Sequence, residues 1–192
     1  MRKVNLVVAA FAITSVLPII SNAENISYNY IQAAYTTTDI DILGTSIDGN
    51  GFSISGSATI NDNLAFIASF DDQSYDYDID TNSFQFGLNF HTPVNKTTDI
   101  LFGISILDSE VSQPLLGSED DTGNVLGVGI RSKLNPNIEI DFGVSRSDIF
   151  DDSSTGFSLS LLARLNENIQ LGIGYGSGDD TDTIGFSLRS NF

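Results

Sequence analysis

The sequence predicts an all-β protein, a transmembrane antiparallel up-and-down β-barrel of ten strands. Two observations support this prediction. Apolar and polar residues alternate over runs of about ten residues, and the connections between these runs are short and long by turns. A period of two is typical of a strand with different surroundings on its two faces, and about ten tilted residues cross the hydrocarbon of a bilayer.

The C-terminal stretch, Thr183–Phe192, shows the alternation most clearly. Its apolar face carries Ile184, Phe186, Leu188 and Phe192, whereas Gly, Ser, Arg and Asn alternate with them. A terminal Phe on such a strand resembles the signal by which outer-membrane barrels are recognised for insertion. Phe186, Leu188 and Phe192 are therefore the candidate insertion signal, and the barrel-insertion machinery is a predicted partner.

The N-terminus predicts a cleaved signal peptide over residues 1–23, followed by one barrel domain over residues 24–192. Arg2 and Lys3 precede an apolar run from Val4 to Ile20, and Ser21-Asn-Ala23 has small residues where a signal peptidase reads. The run is short for a spanning anchor, so export and cleavage is the favoured interpretation. We expect a Gram-negative outer-membrane location.

Charge and cysteine content exclude several classes of function. The 25 Asp and Glu against 8 Lys and Arg give a formal net charge of −17, which argues against nucleic acid as a partner. The absence of Cys excludes disulfides, thiolate metal sites and a lipoprotein anchor.

The first alternating segment, Asn25 to Thr36, has an unclear phase. Tyr28 and Tyr30 share one face with Ile26, whereas Ala33 and Tyr35 share the other, and a bulge near Gln32 would reconcile them. If this segment or one acidic hairpin does not pair, the barrel has eight strands instead of ten.

The other nine segments alternate cleanly. Each has an apolar residue at every second position. The first apolar residues of the nine segments are, in order, Phe52, Leu64, Phe84, Ile100, Leu126, Ile138, Phe157, Ile169 and Ile184. Their polar faces are mostly Ser, Gly and Thr, with few of the Lys and Glu that protect a soluble sheet. Small residues suit a narrow lumen and large aliphatic residues suit lipid, so we expect the apolar face to point outward rather than inward as in a lipocalin-like barrel.

Three connections repeat one pattern of tight turn. Asn flanks a central residue at Asn61-Asp-Asn63, Asn135-Pro-Asn137 and Asn166-Glu-Asn168, and Asn tolerates the left-handed conformation of a short hairpin loop. A fourth turn contains Pro93. We place these turns and both termini at the periplasmic end.

The remaining connections are predicted to be long, acidic extracellular loops. They span Thr37–Asn50, Gln73–Asn82, Asp108–Asn124, Asp148–Thr155 and Gly178–Asp182. Their carboxylates are suited to weak binding of divalent cations or to contact with the lipopolysaccharide layer and the outer-membrane lipid, but no complete Ca²⁺ loop pattern is present. The simpler interpretation is a solvated acidic surface, and no cofactor or metal site is predicted. Aromatic girdles at the bilayer interfaces are expected from Tyr35, Tyr75, Tyr77, Phe90, Tyr175 and Phe192.

Two stretches resemble a known family. Ser27–Tyr35 is a Tyr-rich opening strand, and Asp48–Leu64 is a second strand that ends in an Asn turn. Together with the terminal Phe, they resemble small bacterial outer-membrane barrels of the porin-like or opacity-protein-like kind. The resemblance implies an outer-membrane barrel and little about activity.

Several charged residues occupy strand positions that are predicted to face the lumen, and they cluster near the predicted periplasmic end. The Asn135–Asn137 turn sets a register that places Lys133 opposite Glu139 and Arg131 opposite Asp141. The cluster is predicted to comprise His91, Asp99, Arg131, Lys133, Glu139, Asp141, Arg164 and Arg189. It is either a constriction that selects solutes or a salt-bridged plug, and a barrel this narrow favours the plug.

The sequence does not predict an enzyme. His91 is the only His and has no neighbouring nucleophile in the sequence. We therefore expect a structural, adhesive or surface-interaction role through the acidic extracellular regions. A narrow porin for small solutes is the alternative.

Overall fold

The structure is a computed structural model that describes residues 26–42, 44–114 and 117–192. The predicted signal peptide, residues 1–23, lies outside the described residues. Within the described residues, no helix is long and apolar enough to cross a membrane.

Ten antiparallel strands close into one barrel, which confirms the predicted fold class and strand number. Each strand pairs with its neighbours in the sequence, and β1 closes the barrel against β10. The strands are β1 (Tyr30–Ile42), β2 (Thr45–Asn61), β3 (Leu64–Tyr75), β4 (Ile79–Asn95), β5 (Thr98–Gln113), β6 (Gly117–Asn135), β7 (Ile138–Ile149), β8 (Asp152–Arg164), β9 (Ile169–Gly178) and β10 (Thr181–Asn191).

The periplasmic turns are held by the side chains of their first Asn. The Asn135 Oδ1 accepts hydrogen bonds from the backbone N–H groups of Asn137, at 2.9 Å, and Ile138, at 3.0 Å. Asn166 does the same for Asn168 and Ile169, both at 2.9 Å. An Asn in this position satisfies turn donors that would otherwise need water, which explains the repeated pattern.

The extracellular connections are shorter than the sequence predicts, because the strands continue through most of the acidic stretches. Strands β5 and β6 stay paired up to Gln113 and Gly117. At the β7–β8 hairpin, Phe150 and Asp151 both have positive φ values, 55° and 57°, which is the backbone of a tight two-residue turn. Much of the carboxylate charge therefore lies on sheet rather than on loop.

Strand β1 contains no bulge, contrary to the expectation near Gln32. It pairs in unbroken register with β2 and with β10 from Tyr30 to Ile40. Its phase is simple: Tyr30 and Gln32 are buried in the lumen, whereas Ala33 and Tyr35 face outward. The Tyr-rich face that seemed out of phase is the lumen face.

The outer surface carries an apolar belt that ends sharply on the extracellular side. On β5, the outward residues Phe102, Ile104 and Ile106 are exposed and apolar, and the next outward residues are Asp108 and Glu110. The same change occurs on β3 between Phe70 and Asp72. Apolar side chains outside and Ser, Thr and Gly inside form the pattern of a barrel whose outer wall contacts lipid.

Candidate functional site: the charged network in the lumen

The core of the site is a buried group of ion pairs near the periplasmic end. Strands β6 and β7 pair so that Arg131 lies opposite Asp141 and Lys133 lies opposite Glu139, as the Asn135–Asn137 turn predicts. The Arg131 guanidinium donates hydrogen bonds to the Glu139 carboxylate, and its Nε lies 3.2 Å from the Asp141 Oδ1. Arg131 is fully buried, and both carboxylates are nearly so.

Arg189 ties two distant walls of the barrel together. It lies on β10, three strands away from β7, yet its Nη1 is 3.6 Å from Glu139 Oε1 and its Nη2 is 3.9 Å from Asp141 Oδ2. Its Nε donates a hydrogen bond of 2.8 Å to the side chain of Gln32 on β1, and its guanidinium lies 4.3 Å from the centre of the Tyr30 ring. This tie crosses the lumen and is anchored in strands at both ends.

Tyr28 forms a second tie across the lumen. It precedes β1, and its hydroxyl donates a hydrogen bond of 2.5 Å to Asp99 Oδ2 on β5. Its ring stacks on His91 of β4 with centroids 5.6 Å apart, and the Arg131 guanidinium lies 4.8 Å from the ring centre. A single N-terminal side chain thus joins three residues of the opposite wall.

The remaining residues of the predicted cluster lie at the edge of this network. Lys133 is buried and occupies the rung next to Arg131, opposite Glu139. Arg164, the last residue of β8, is half-buried at the periplasmic rim and takes no part in the ion pairs found among the described residues. The structure therefore joins Arg131, Glu139, Asp141 and Arg189 directly, and reaches Asp99 and His91 through Tyr28.

Sequence reasoning missed Tyr28, Tyr30 and Gln32, which complete the network from the β1 side. The signal was present, since these three residues alternate without interruption. The supposed bulge at Gln32 obscured it. All three are nearly inaccessible to solvent, with exposed fractions of 2%, 2% and 6%.

Beyond the network, the lumen holds a cavity on one side. Small and hydroxyl-bearing residues of β8 to β10 form most of its wall, which continues onto the adjoining strands β1 and β2, and Asp141 and Arg189 lie at its floor. The lining includes Thr36, Ser53, Ser158, Ser160, Thr183 and Ser187. The opposite wall is filled by larger side chains, among them Leu101, Leu107 and Gln85.

An apolar cluster fills part of the lumen at its extracellular end. Ile40, Ile47, Tyr75 and Ile79 are buried together, and Val111 packs against them. These residues come from β1 to β5, so the cluster covers about half of the circumference. Tyr75 belongs to it and not to an outer aromatic girdle, which corrects the expectation for that residue.

Two of the candidate insertion residues, Phe186 and Leu188, lie on the outer face of β10, and Phe192 directly follows its last residue. Phe186, Leu188 and Phe192 are all exposed, and the backbone N–H of Phe192 donates a hydrogen bond of 3.0 Å to the carbonyl of Asn29. Among the described residues, no group of three or more His, Asp or Glu side chains is placed to hold a metal ion.

Comparison with known proteins agrees with this architecture. A family model for the outer membrane protein beta-barrel domain matches residues 6–192. A solved structure of the KdgM porin in complex with disordered oligogalacturonate is similar with a TM-score of 0.52 and 9% identity, over 85% of this chain and 99% of that one. The translocator domain of the autotransporter NalP from Neisseria meningitidis gives a TM-score of 0.51 and 9% identity, over 88% and 90% of the two chains.

At such identities, the likeness to these structures shows the fold alone. No curated protein matches the sequence. The family match, which covers nearly the whole sequence, agrees with the closed ten-stranded barrel and its apolar outer belt. The chain belongs to the family of outer-membrane β-barrel proteins.

Proposed function

We propose that the protein acts at the cell surface, where rows of like charge on its projecting strands bind a cationic partner surface. The observation that carries this proposal is the register above the apolar belt. On β10, β1 and β2, Asp182 is paired with Asp39, and Asp39 with Asp48. On β5 and β6, Glu110 is paired with Asp120.

Like charges directly opposite each other destabilise a sheet. All five carboxylates are exposed on the outer face, where water and salt reduce but do not remove the repulsion. The remaining repulsion raises the free energy of the rows. A Lys- or Arg-rich partner would lower it, because a cation between two carboxylates replaces repulsion by attraction. Two of the five are held in place, since Ser46 donates to Asp39 at 2.7 Å and Tyr175 donates to Asp182 at 2.6 Å.

The sheet that carries the second row also projects from the membrane. From Asp108 to Gln113, β5 continues for six residues beyond the belt, which is roughly 20 Å of strand at ~3.4 Å per residue. Strand β6 pairs with β7 only from Asn124 onward, so its outer part has a strand on one side alone. A rigid wall of this kind presents its charges in fixed positions without the entropy cost of ordering a loop.

The test compares two double variants that lose the same number of negative charges. One variant loses the carboxylates of a row, and the control loses two carboxylates outside the rows. We expect Glu110→Gln with Asp120→Asn to reduce the retention of cells displaying the protein on a polylysine-coated surface, while stabilising the barrel by roughly 0.2–1 kcal/mol. The control, Asp76→Asn with Asp78→Asn, removes two carboxylates from the β3–β4 turn, where Asn tolerates the positive φ of 56° at residue 78. Equal loss of retention in the two double variants would mean that only net charge matters and would reject the rows as the binding element.

Contacts of these carboxylates with divalent cations and lipopolysaccharide, and with the outer-membrane lipid, belong to the same proposal. Millimolar Mg²⁺ is expected to compete with polylysine at the rows. We propose no catalytic role, since His91 is fully buried and its ring stacks on that of Tyr28, with centroids 5.6 Å apart, inside the plugged end of the lumen.

A narrow porin is the second candidate, and the cavity along β8 to β10 favours it. Hydroxyl-lined walls of small residues resemble a solute path more than a packed core. The charged network at the floor of this cavity and the apolar cluster at the extracellular end oppose conduction. Conductance of the native protein in a planar bilayer therefore separates the two candidates.

A further inference from the structure

We propose that residues 26–29 form a gate at the periplasmic end of the lumen. The segment can move out of the lumen, and the side chain of Tyr28 is the group that closes it. This inference does not depend on the surface role of the acidic rows. It starts from the difference between the two ties that cross the lumen. The Arg189 tie joins two strands, whereas the Tyr28 tie begins on a segment that belongs to no strand.

The gate segment is anchored at one point and buried at two. Asn29 is the anchor: its side-chain oxygen accepts a hydrogen bond of 2.9 Å from the N–H of Thr59, and its carbonyl accepts one of 3.0 Å from Phe192. From there the chain turns into the lumen, where Ile26 and Tyr28 are buried with exposed fractions of 6% and 2%. The segment thus has a fixed hinge and a side chain that fills the opening.

Withdrawal of Tyr28 breaks few contacts of the barrel itself. It would release the hydrogen bond to Asp99 and the ring contacts with His91 and Arg131, all of them made by one side chain. The ladders of β1 with β2 and β10 begin at Tyr30, so they stay intact. Withdrawal of Arg189, by contrast, would leave Glu139 and Asp141 buried with one cation fewer, which is costly.

Tyr28 closes the gap that the Arg189 tie leaves. Arg189, Glu139 and Asp141 occupy the side of the lumen toward β7 and β10. Asp99 and His91 lie on β5 and β4, and Tyr28 fills the space between them and β1. Without its ring, water gains a route past Asp99 to the cavity above the network.

Because the chain contains no Cys, a single introduced thiol reports access to the lumen without interference. Ser57 on β2 is suitable, since it faces the lumen with 4% exposure and lies opposite Tyr30 in the ladder. Ser153, which is exposed at the extracellular end, provides a thiol position that stays accessible in every variant.

The experiment measures maleimide labelling of Ser57→Cys in detergent-extracted protein, with the heat-modifiable gel shift as the check of folding. We expect Tyr28→Ala to raise the labelling rate about ten-fold, which corresponds to about 1.4 kcal/mol removed from the closed state. Tyr28→Phe, which keeps the ring and loses the bond to Asp99, should give an intermediate rate. Tyr77→Asn, at an exposed turn position, should leave the rate unchanged.

Planar-bilayer recordings supply the second readout. Openings in Tyr28→Ala that the native protein lacks support the gate. Native-like labelling and silence in folded Tyr28→Ala would overturn it, as would native-like labelling in Tyr28→Phe if the Ala variant does not fold. Openings already present in the native protein would contradict the surface-role proposal and not this one, provided that Tyr28→Ala increases them.

Discussion

Replacing Arg131 by Met is expected to lower the free energy of unfolding by about 3–5 kcal/mol, the usual cost of removing one partner from a buried ion pair. Met keeps most of the length of the side chain and removes the charge. Of the two arginines that pair with Glu139 and Asp141, Arg189 alone would remain, at 3.6 and 3.9 Å, in a part of the lumen where neither carboxylate reaches solvent freely. The ring of Tyr28 would also lose the guanidinium that lies 4.8 Å from its centre.

The measurement is the urea midpoint of folded protein in detergent micelles, followed by circular dichroism because the chain has no Trp. The matched control is Arg146→Met. Arg146 pairs with Asp148 at 3.3 Å, but the two side chains are 56% and 44% exposed, so a loss of at most about 1 kcal/mol is expected. Similar losses in the two variants would show that the lumen network is not a structural plug.

The second large effect is expected on the outer wall, where Ile104→Lys should destabilise the inserted barrel by about 2–4 kcal/mol. Ile104 is 58% exposed and lies between Phe102 and Ile106 within the apolar belt. A Lys at that depth must bury its ammonium group in hydrocarbon or bend toward the interface.

The control for this variant is Asp108→Lys, on the same outward face of β5 but beyond the belt. Its expected cost is at most about 1 kcal/mol, because substitutions near the interface are cheap. Unfolding in lipid vesicles measures both. Equal costs at residues 104 and 108 would mean that the belt does not mark the hydrocarbon.

Strands and turns were predictable because their causes are local. Alternation in stretches such as Phe84–Phe90 fixes which face is apolar, and an Asn-flanked triplet fixes a hairpin register. That register then placed Arg131 opposite Asp141, as found. The cross-lumen ties, such as that between Arg189 and Glu139, depend on barrel closure. Strand alternation shows that both residues face the lumen, but it does not show that they meet.

The acidic stretches were wrongly predicted to be long loops, because Asp, Ser and Thr are common in loops. Pairing with a neighbouring strand outweighs the weak local preference of each residue, as the unbroken ladder from Asp108 to Gln113 shows. Once those stretches are strands, their inward positions must be filled. Ile40 and Ile47 fall on such positions, and this is the origin of the extracellular apolar cluster.

The N-terminal error has a similar cause. Tyr28 and Tyr30 are out of phase with Tyr35, and the sequence alone does not fix which of the two faces points inward, because aromatic residues are also common at both membrane interfaces. The structure shows that the same residue type serves inside the lumen, where its ring packs against a guanidinium. Composition does not distinguish these two uses, whereas strand parity does.

The most direct test of the closed barrel is single-channel conductance of the native protein in a planar bilayer, with the heat-modifiable gel shift as proof of folding. No discrete openings are expected, because the Arg131–Glu139–Arg189 ties and Tyr28 fill the periplasmic end of the lumen and the extracellular apolar cluster fills part of the other end. Reproducible openings in correctly folded native protein would contradict this expectation and would identify the cavity along β8 to β10 as a solute path.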